Sequence, residues 1–304
     1  MQNKITVIVP ATSANCGPGF DVLGLACNLY NEFTYELTAA PSFELEVCGE
    51  GAGRLQTGSR NLAFKSFLRL WNEVTNKQRV GLRLQMQNNI PMSRGLGSSS
   101  TAIVAGLVAA DYFAQSGLDK MELLKYATEI EGHPDNVAPA LLGGMTISYM
   151  KDDKAHSLRF LPVKELAYIA AVPETPLSTH LARQAIPQSI AHADAVFNAG
   201  RSALLMGAML TGDYAFLPDA LEDRLHQPFR KPLIKGTEQV FAAAKAAGAY
   251  GAIISGAGST LMAYADPAAD CESIAAAMRA AFAKAGQQSV THILKLDPEG
   301  VRLK

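Results

Sequence analysis

Hydrophobic and polar positions recur with two different periods along this chain, and the switches between them predict its elements. Ile5–Val9, Phe33–Thr38 (FTYELT), Phe43–Val47 (FELEV) and Val80–Gln87 (VGLRLQMQ) read as strands, the last three by clear period-two alternation. Asn61–Glu73 places Leu62, Phe64, Phe67, Leu68 and Trp71 near helical spacing, the mark of an amphipathic helix. Ala102–Phe113 is apolar almost all round and reads as a buried helix. Met121–Glu131 is a further helix, opened by Asp119 as its N-cap. Met145–Tyr149 is a strand after the Gly143-Gly144 turn, and a charged turn follows at Lys151–Lys154 (KDDK). The second half starts with the strand Leu166–Val172, followed by helices over Ala191–Leu210 and Gly236–Ala247. Two apolar strands within 252–264 are joined by a Gly/Ser turn, and a helix over 268–285 and a strand at Ser289–Leu296 complete the chain. The pattern is α+β. With 304 residues and about 150 residues per domain, two domains are expected, 1–155 and 156–304.

Composition narrows the function classes. A hydrophobic fraction of 48% with 18% charged residues is that of an ordinary globular protein. The net charge of −1 leaves no basic surplus to neutralise a nucleic-acid backbone, so no nucleic-acid partner is expected. No apolar run reaches the ~18 residues of a membrane span, and Met1–Lys4 leads directly into a strand with no secretory leader pattern. A cytoplasmic protein without a membrane partner is expected. Cys16, Cys27, Cys48 and Cys271 show no metal-ligand spacing and fit free thiols. The oligomeric state is left open, with a homodimer as the working expectation.

The chemistry begins at Pro91–Thr101 (PMSRGLGSSST), between a strand and a helix. A helix N-terminus leaves backbone N–H groups unpaired and carries partial positive charge, so a Gly/Ser-rich turn there can cradle phosphate. Gly95 and Gly97 permit close approach of an anion, and Ser98, Ser99 and Ser100 add hydroxyls. The loop lacks the Gly-Lys-Ser/Thr ending of the common phosphate loop, and a plain serine N-cap fits it equally well. Pro10–Asp21 (PATSANCGPGFD) supplies Asn15 and Asp21 from a loop fixed by glycine and proline. Glu129–Ala140 (EIEGHPDNVAPA) sets two carboxylates at a helix C-terminus, where the dipole disfavours them unless a cation compensates. His133, Asp135 and Asn136 follow in a tight Gly/Pro loop. Val172–Arg183 ends a strand and opens a helix capped by Ser178 or Thr179, with Arg183 one turn in. Leu221–Arg230 is a polar run closed by Arg230. Arginine can grip a carboxylate through two parallel hydrogen bonds.

Pro10–Ala26, Pro91–Thr101 and Ser255–Leu261 (SGAGSTL) together resemble the three motifs of the GHMP kinases. Within that family, PATSANCGPGFD, Gly132–Ala140 (GHPDNVAPA), Leu177–Arg183 (LSTHLAR) and Leu225–Arg230 (LHQPFR) resemble its homoserine kinases, in the same order and over positions 10 to 262. Ser100-Thr101 stands where Ala-Ala is frequent, and Ser259 where proline is. The resemblance implies an N-terminal domain like ribosomal protein S5 domain 2 and a ferredoxin-like C-terminal domain. It implies ATP and Mg2+, with phosphates on Pro91, Arg94, Gly95, Leu96, Gly97, Ser98, Ser99, Ser100 and Thr101. Asn61 matches a contact near the adenosine, and Ser99 and Glu129 match the metal ligands, with Glu131 as the alternative. Asn15, Asp21, His133, Asn136, Thr179, Arg183 and Arg230 match the homoserine pocket. It further implies that Asn15 and Asp21 take the ammonium of L-homoserine, and Arg183 and Arg230 its carboxylate. Some members use an Asp as base in the loop of His133–Asn136, which makes Asp135 the local candidate; homoserine kinases instead suggest Asn136 and positioning. Two alternatives remain: another small-molecule kinase of this family, of mevalonate or amino-alcohol type, and a non-catalytic nucleotide-binding regulator.

Overall fold

The computed structural model describes residues 3–304 apart from Arg54 and residues 56–59. Its first sheet contains β1 (Lys4–Ala14), β2 (Leu23–Thr38), β3 (Phe43–Gly49), β4 (Gly81–Asn88), β5 (Met145–Lys151), β6 (Lys154–Phe160) and the short C-terminal β11 (Arg302–Leu303). The order is β11-β1-β2-β4-β3, with the start of β2 pairing β5 and β5 pairing β6. Four helices cover it: α1 (Leu62–Val74), α2 (Ser98–Ala114), α3 (Lys120–Glu131) and α4 (Pro134–Leu142). Val7, Val9, Phe33, Tyr35, Leu82 and Leu84 alternate inward along the strands to meet Phe64, Phe67, Ile103, Leu107 and Leu124 of the helices. α2 is buried on nearly every side, as its unbroken apolar run requires.

The second sheet contains β7 (Ala167–Pro173), β8 (Gly251–Ile254), β9 (Leu261–Ala265) and β10 (Ser289–Leu294), in the order β10-β7-β9-β8 and antiparallel throughout. Between its strands run α5 (Thr179–Gln184), α6 (His192–Thr211), α7 (Leu217–Ala220), α8 (Gln227–Arg230), α9 (Thr237–Ala246) and α10 (Cys271–Lys284). Numbered within this sheet the order is 4-1-3-2, that of the β-α-β-β-α-β ferredoxin-like motif. β7 is buried along its whole length because both of its faces are covered. Ala167, Ile169 and Ala171 face α9 and α10, while Tyr168, Ala170 and Val172 join Leu23, Leu25, Cys27, Leu205 and Met209 in a core shared with the first sheet. That shared core fixes the two sheets against each other.

Local sequence explains the element ends. The side chain of Asp119 accepts the N–H groups of Met121 and Glu122, and Glu122 reaches back to complete a capping box. Asn61 caps α1 through Ala63 N–H, 2.9 Å away. Four expectations differ from the structure. β1 runs on through the polar ATSA stretch to Ala14, so the expected loop is a β1–β2 connection of residues 15–22 only. The expected loop of His133, Asp135 and Asn136 is instead the start of a helix: His133 is the N-cap of α4, and Pro134 sits at its first position, where its fixed φ and missing N–H fit. The KDDK turn is a hairpin within the first sheet, because Lys154–Phe160 pairs β5 as β6. The chain also returns after β10, where Arg302 and Leu303 pair with β1.

Candidate active site

A cleft forms where the β1–β2 connection, the loop before α2, the start of α4, α5, α8 and the loop between β8 and β9 meet. Short bonds lock these pieces together. Thr12 N–H donates to Leu96 O (3.1 Å), Gly256 N–H to Ala14 O (3.1 Å) and Thr260 N–H to Arg94 O (3.0 Å). The Ser255 hydroxyl reaches Gly95 O at 2.7 Å and Ser13 Oγ at 2.8 Å. Asn15, Cys16 and Asp21 all hold left-handed backbone (φ +69°, +47° and +58°) without being glycine, a costly concentration in one connection. Asn15 holds it in place, donating through Nδ2 to Gly256 O (2.8 Å) and accepting Asp21 N–H (3.0 Å).

At one end of the cleft stands the N-terminus of α2. Its N-cap is Gly97 in the left-handed region, with no side-chain cap bond, so the serine-cap reading does not describe this helix. Gly97 is required by its neighbour: a Cβ there would lie 1.9 Å from Thr12 Oγ1, and one on Gly95 2.1 Å from Ser255 O. Close packing against the protein already excludes a side chain at both glycines. Thr101 bonds Ser98 O and Asn31, and Ser100 donates to Glu131 Oε1 at 3.1 Å. Arg94 is spent on the carbonyls of Met92, Pro173 and Glu174. The hydroxyls of Ser98 and Ser99 have no partner among the described residues, and both line the cleft with Pro91 and Leu96. A second hollow opens from Ser93, Ser98 and Ser99 and is walled by Asn61, Leu62, Met86 and Met92.

The two carboxylates of α3 part company. Successive residues turn about 100° around a helix, so positions 129 and 131 lie about 200° apart. Glu129 faces away from the cleft, exposed and bonded to Arg69 at 2.8 Å. Glu131 lines the cleft, bonds Ser100 and pairs with no cation among the described residues. Burial pushes its carboxyl above the ordinary value.

The far end of the cleft is charged. Arg183 grips Asp21 with both forks, at 2.9 and 2.8 Å. His133 bonds Asp135, and that carboxylate lifts the imidazole above its ordinary pKa against the opposing effect of burial. Ligand-type atoms of Asp21, His133 and Asp135 converge within 4.8 Å. Asn136 Oδ1 accepts the Thr12 hydroxyl (2.8 Å), and its Nδ2 has no acceptor among the described residues. Thr179 stands at the start of α5, on the rim. Arg230 is only 2% exposed. It donates to Ala182 O (3.2 Å), Gly256 O (2.9 Å) and His226 Nδ1 (3.3 Å), and no carboxylate pairs with it among the described residues. Burial, with Arg183 nearby, pushes its pKa down to about 10, so it stays charged near neutral pH.

One cleft therefore joins a glycine-capped helix N-terminus to a buried, unpaired guanidinium. GHMP kinases N terminal domain is the family description that matches residues 61–144, and GHMP kinases C terminal the one that matches residues 204–284. The homoserine kinase of Nostoc punctiforme is 41% identical over 301 residues, covering 99% of this chain and 98% of that one. The chain belongs to the GHMP kinases. Other members of the family bracket it. The homoserine kinase of Carboxydothermus hydrogenoformans is 45% identical over 262 residues, 86% of this chain and 85% of its own. The crystal structure of homoserine kinase from Cytophaga hutchinsonii matches with a TM-score of 0.89 at 29% identity, over 100% of this chain and 98% of that one. The two-domain GHMP kinase fold also extends to an L. major mevalonate kinase, TM-score 0.75 at 17% identity over 98% of both chains, a likeness of fold alone. GHMP kinases use ATP as phosphate donor. No helix among the described residues is long and apolar enough to cross a membrane.

Two residues of this site had thin sequence signals. Thr12 fell within a motif valued for Asn15 and Asp21, and His226 within a run valued for Arg230. Only their bonds to Asn136 and Arg230 mark them.

Proposed function

We propose that this GHMP kinase transfers the γ-phosphoryl group of ATP to the side-chain hydroxyl of L-homoserine, giving O-phospho-L-homoserine, a step of threonine biosynthesis. The observation that carries the reading is Arg230, a buried guanidinium without an acidic partner among the described residues, in the same cleft as the open start of α2. A carboxylate-bearing alcohol supplies what that arrangement lacks.

The phosphates of ATP would lie on the Ser98–Ser100 end of α2, with the base toward the hollow of Asn61, Met86 and Met92. Magnesium would be held by Glu131 with Ser99, and it would neutralise charge on the phosphates. A largely buried carboxylate that bonds the Ser100 hydroxyl, and that has no Lys or Arg within ion-pair distance among the described residues, fits a divalent cation. Glu129, already paired with Arg69, does not. Asp21 and Asn15 would meet the substrate ammonium, and Arg183 and Arg230 its carboxylate. A zwitterion offers both charges of the Asp21–Arg183 pair a new partner, so it can part the two without leaving either uncompensated. Asn136, aimed by Thr12, and Thr179 would position the hydroxyl. Phosphoryl transfer passes through a loose transition state that asks mainly for positioning and charge neutralisation. No strong base is assigned, since Asp135 is held by His133.

A coupled ADP-release assay with homoserine, threonine, mevalonate and galactose tests the reading. Release with homoserine far above the others is expected. Preference for mevalonate would move the protein to a sister activity, and no release with any acceptor would make it a nucleotide-binding regulator.

A further inference from the structure

Every acceptor around Arg230 is electrically neutral: two backbone carbonyls and one imidazole. Its second terminal nitrogen, Nη2, has no partner among the described residues, and the guanidinium lines the cleft. We infer that His226 is a positioning residue for Arg230, holding the guanidinium through an unprotonated Nδ1 so that it meets the substrate carboxylate oriented but not neutralised. The inference rests on the proposed role of Arg230 in binding that carboxylate.

The partners of His226 dictate its form. Its ring is fully buried. Nε2 lies 2.8 Å from Gly17 O, an atom that can only accept, so Nε2 carries the proton. Nδ1 is then the acceptor for Arg230 Nη1 at 3.3 Å. Burial lowers the imidazole pKa, and the positive Arg230 adds to that. The carboxylates on its other sides are Asp223 and Asp21. Asp223 Oδ2 sits 3.6 Å from Nε2 but also accepts the N–H groups of His226 and Gln227, at 2.9 and 2.6 Å. The neutral imidazole is the form these contacts favour. Phe20 stacks on the ring at 5.2 Å between centroids, and the Arg230 and Arg183 guanidiniums lie 5.2 and 5.6 Å from the same Phe20 ring.

The chemistry of the acceptor decides why histidine suits this position. An aspartate or glutamate would hold the guanidinium more tightly but neutralise it and compete with an incoming carboxylate. An apolar residue would leave one buried N–H without a partner and the fork free to turn. A neutral acceptor orients the cation and leaves its charge for the ligand. This link also ties the β1–β2 connection, through Gly17, to the loop of Gly256, so both walls of the substrate end bear on one side chain.

Two substitutions separate positioning from bulk. His226→Asn keeps a neutral acceptor near the place of Nδ1, while His226→Leu removes it. Both lose the Gly17 bond and most of the Phe20 stacking. Steady-state kinetics should show KM for homoserine raised about tenfold or more in His226→Leu, with kcat and KM for ATP within about threefold, and largely restored in His226→Asn. Equal homoserine KM values in the two variants, both folded by thermal melt, would overturn the inference. Should His226→Leu fail to fold, nitrogen-15 NMR of the wild-type histidines decides: an unprotonated Nδ1 and protonated Nε2 on His226 near neutral pH are expected, and the opposite tautomer or an imidazolium contradicts them. Arg230→Ala separates the levels. If it leaves KM for homoserine unchanged, the carboxylate reading fails; if it raises KM while the His226 variants do not differ, only the positioning role fails.

Discussion

The two ends of the cleft are prepared in opposite ways. At the nucleotide end the groups that would meet a ligand stand open: the first N–H groups of α2, the hydroxyls of Ser98 and Ser99, and the carboxylate of Glu131 without a cation. At the substrate end most charges are already matched within the protein, Asp21 with Arg183 and His133 with Asp135, and among the described residues Arg230 lacks an opposite charge. Phosphate oxygens can therefore settle onto fixed donors, whereas a small zwitterion must exchange one ion pair for two. An ammonium alone or a carboxylate alone would leave half of the Asp21–Arg183 pair stranded, which costs free energy in a half-buried site. On the proposed reading, selectivity for a molecule bearing both charges would follow from that difference.

The sharpest way to break the comparison is at Glu131. Glu131→Gln should lower kcat by orders of magnitude, because the metal loses its charged oxygen ligand beside the phosphates. The ligand-free variant should be no less stable. A carboxyl whose folded pKa lies above its unfolded value binds its proton more tightly when folded, so its ionised form at neutral pH costs stability that glutamine removes. Full activity with magnesium near its apparent Kd would show that the open carboxylate at the nucleotide end is not a metal ligand. A loss of a different kind, in nucleotide binding rather than in kcat, is expected at Gly97, whose φ is +69°. Gly97→Val would press Thr12, so calorimetry should show ATP binding lost together with a lower melting temperature. Wild-type ATP affinity in that variant would remove this loop from nucleotide binding. The smallest effect belongs to Glu129→Gln. Its exposed pair with Arg69 is worth about 0–1 kcal/mol, and kcat should stay within about twofold of wild type by ADP release.

Glu129 and Glu131 also show where sequence reading reaches its limit. The existence of α3 and its start were legible, because Asp119 stands as an N-cap just before the helical run, and the structure adds Glu122 to complete a capping box. Its rotational phase at the last turn was not, since both candidate positions are Glu and the C-terminus beyond them is Gly132. Position matching favours Glu129, while geometry brings Glu131 to Ser100. Asn61, expected near the nucleotide, lines the hollow beyond Ser98 and caps α1, so two roles share one side chain on the proposed reading. β6 escaped notice because its inward residues are Ala155 and Ser157 while Leu158 is 63% exposed, which inverts the usual pattern. α4 hid behind a Gly/Pro-rich string whose Pro134 was the start signal itself. The ion pair of Asp21 with Arg183 spans 162 residues, a separation at which local patterning carries no information. Motif order brought those residues together only as members of a resembling set.

The most direct test of zwitterion recognition pairs substrate with enzyme. ADP release should be compared for L-homoserine, for 4-hydroxybutanoate, which lacks the ammonium, and for 2-aminobutane-1,4-diol, which lacks the carboxylate, with wild type and Arg230→Ala. In wild type each analogue should lose about tenfold to a hundredfold or more in kcat/KM. In Arg230→Ala the advantage of homoserine over the diol should shrink by at least about tenfold, with the ammonium dependence retained. An undiminished advantage of homoserine over the diol in Arg230→Ala, or wild-type turnover of either analogue equal to that of homoserine, would contradict recognition of the zwitterion at this end of the cleft.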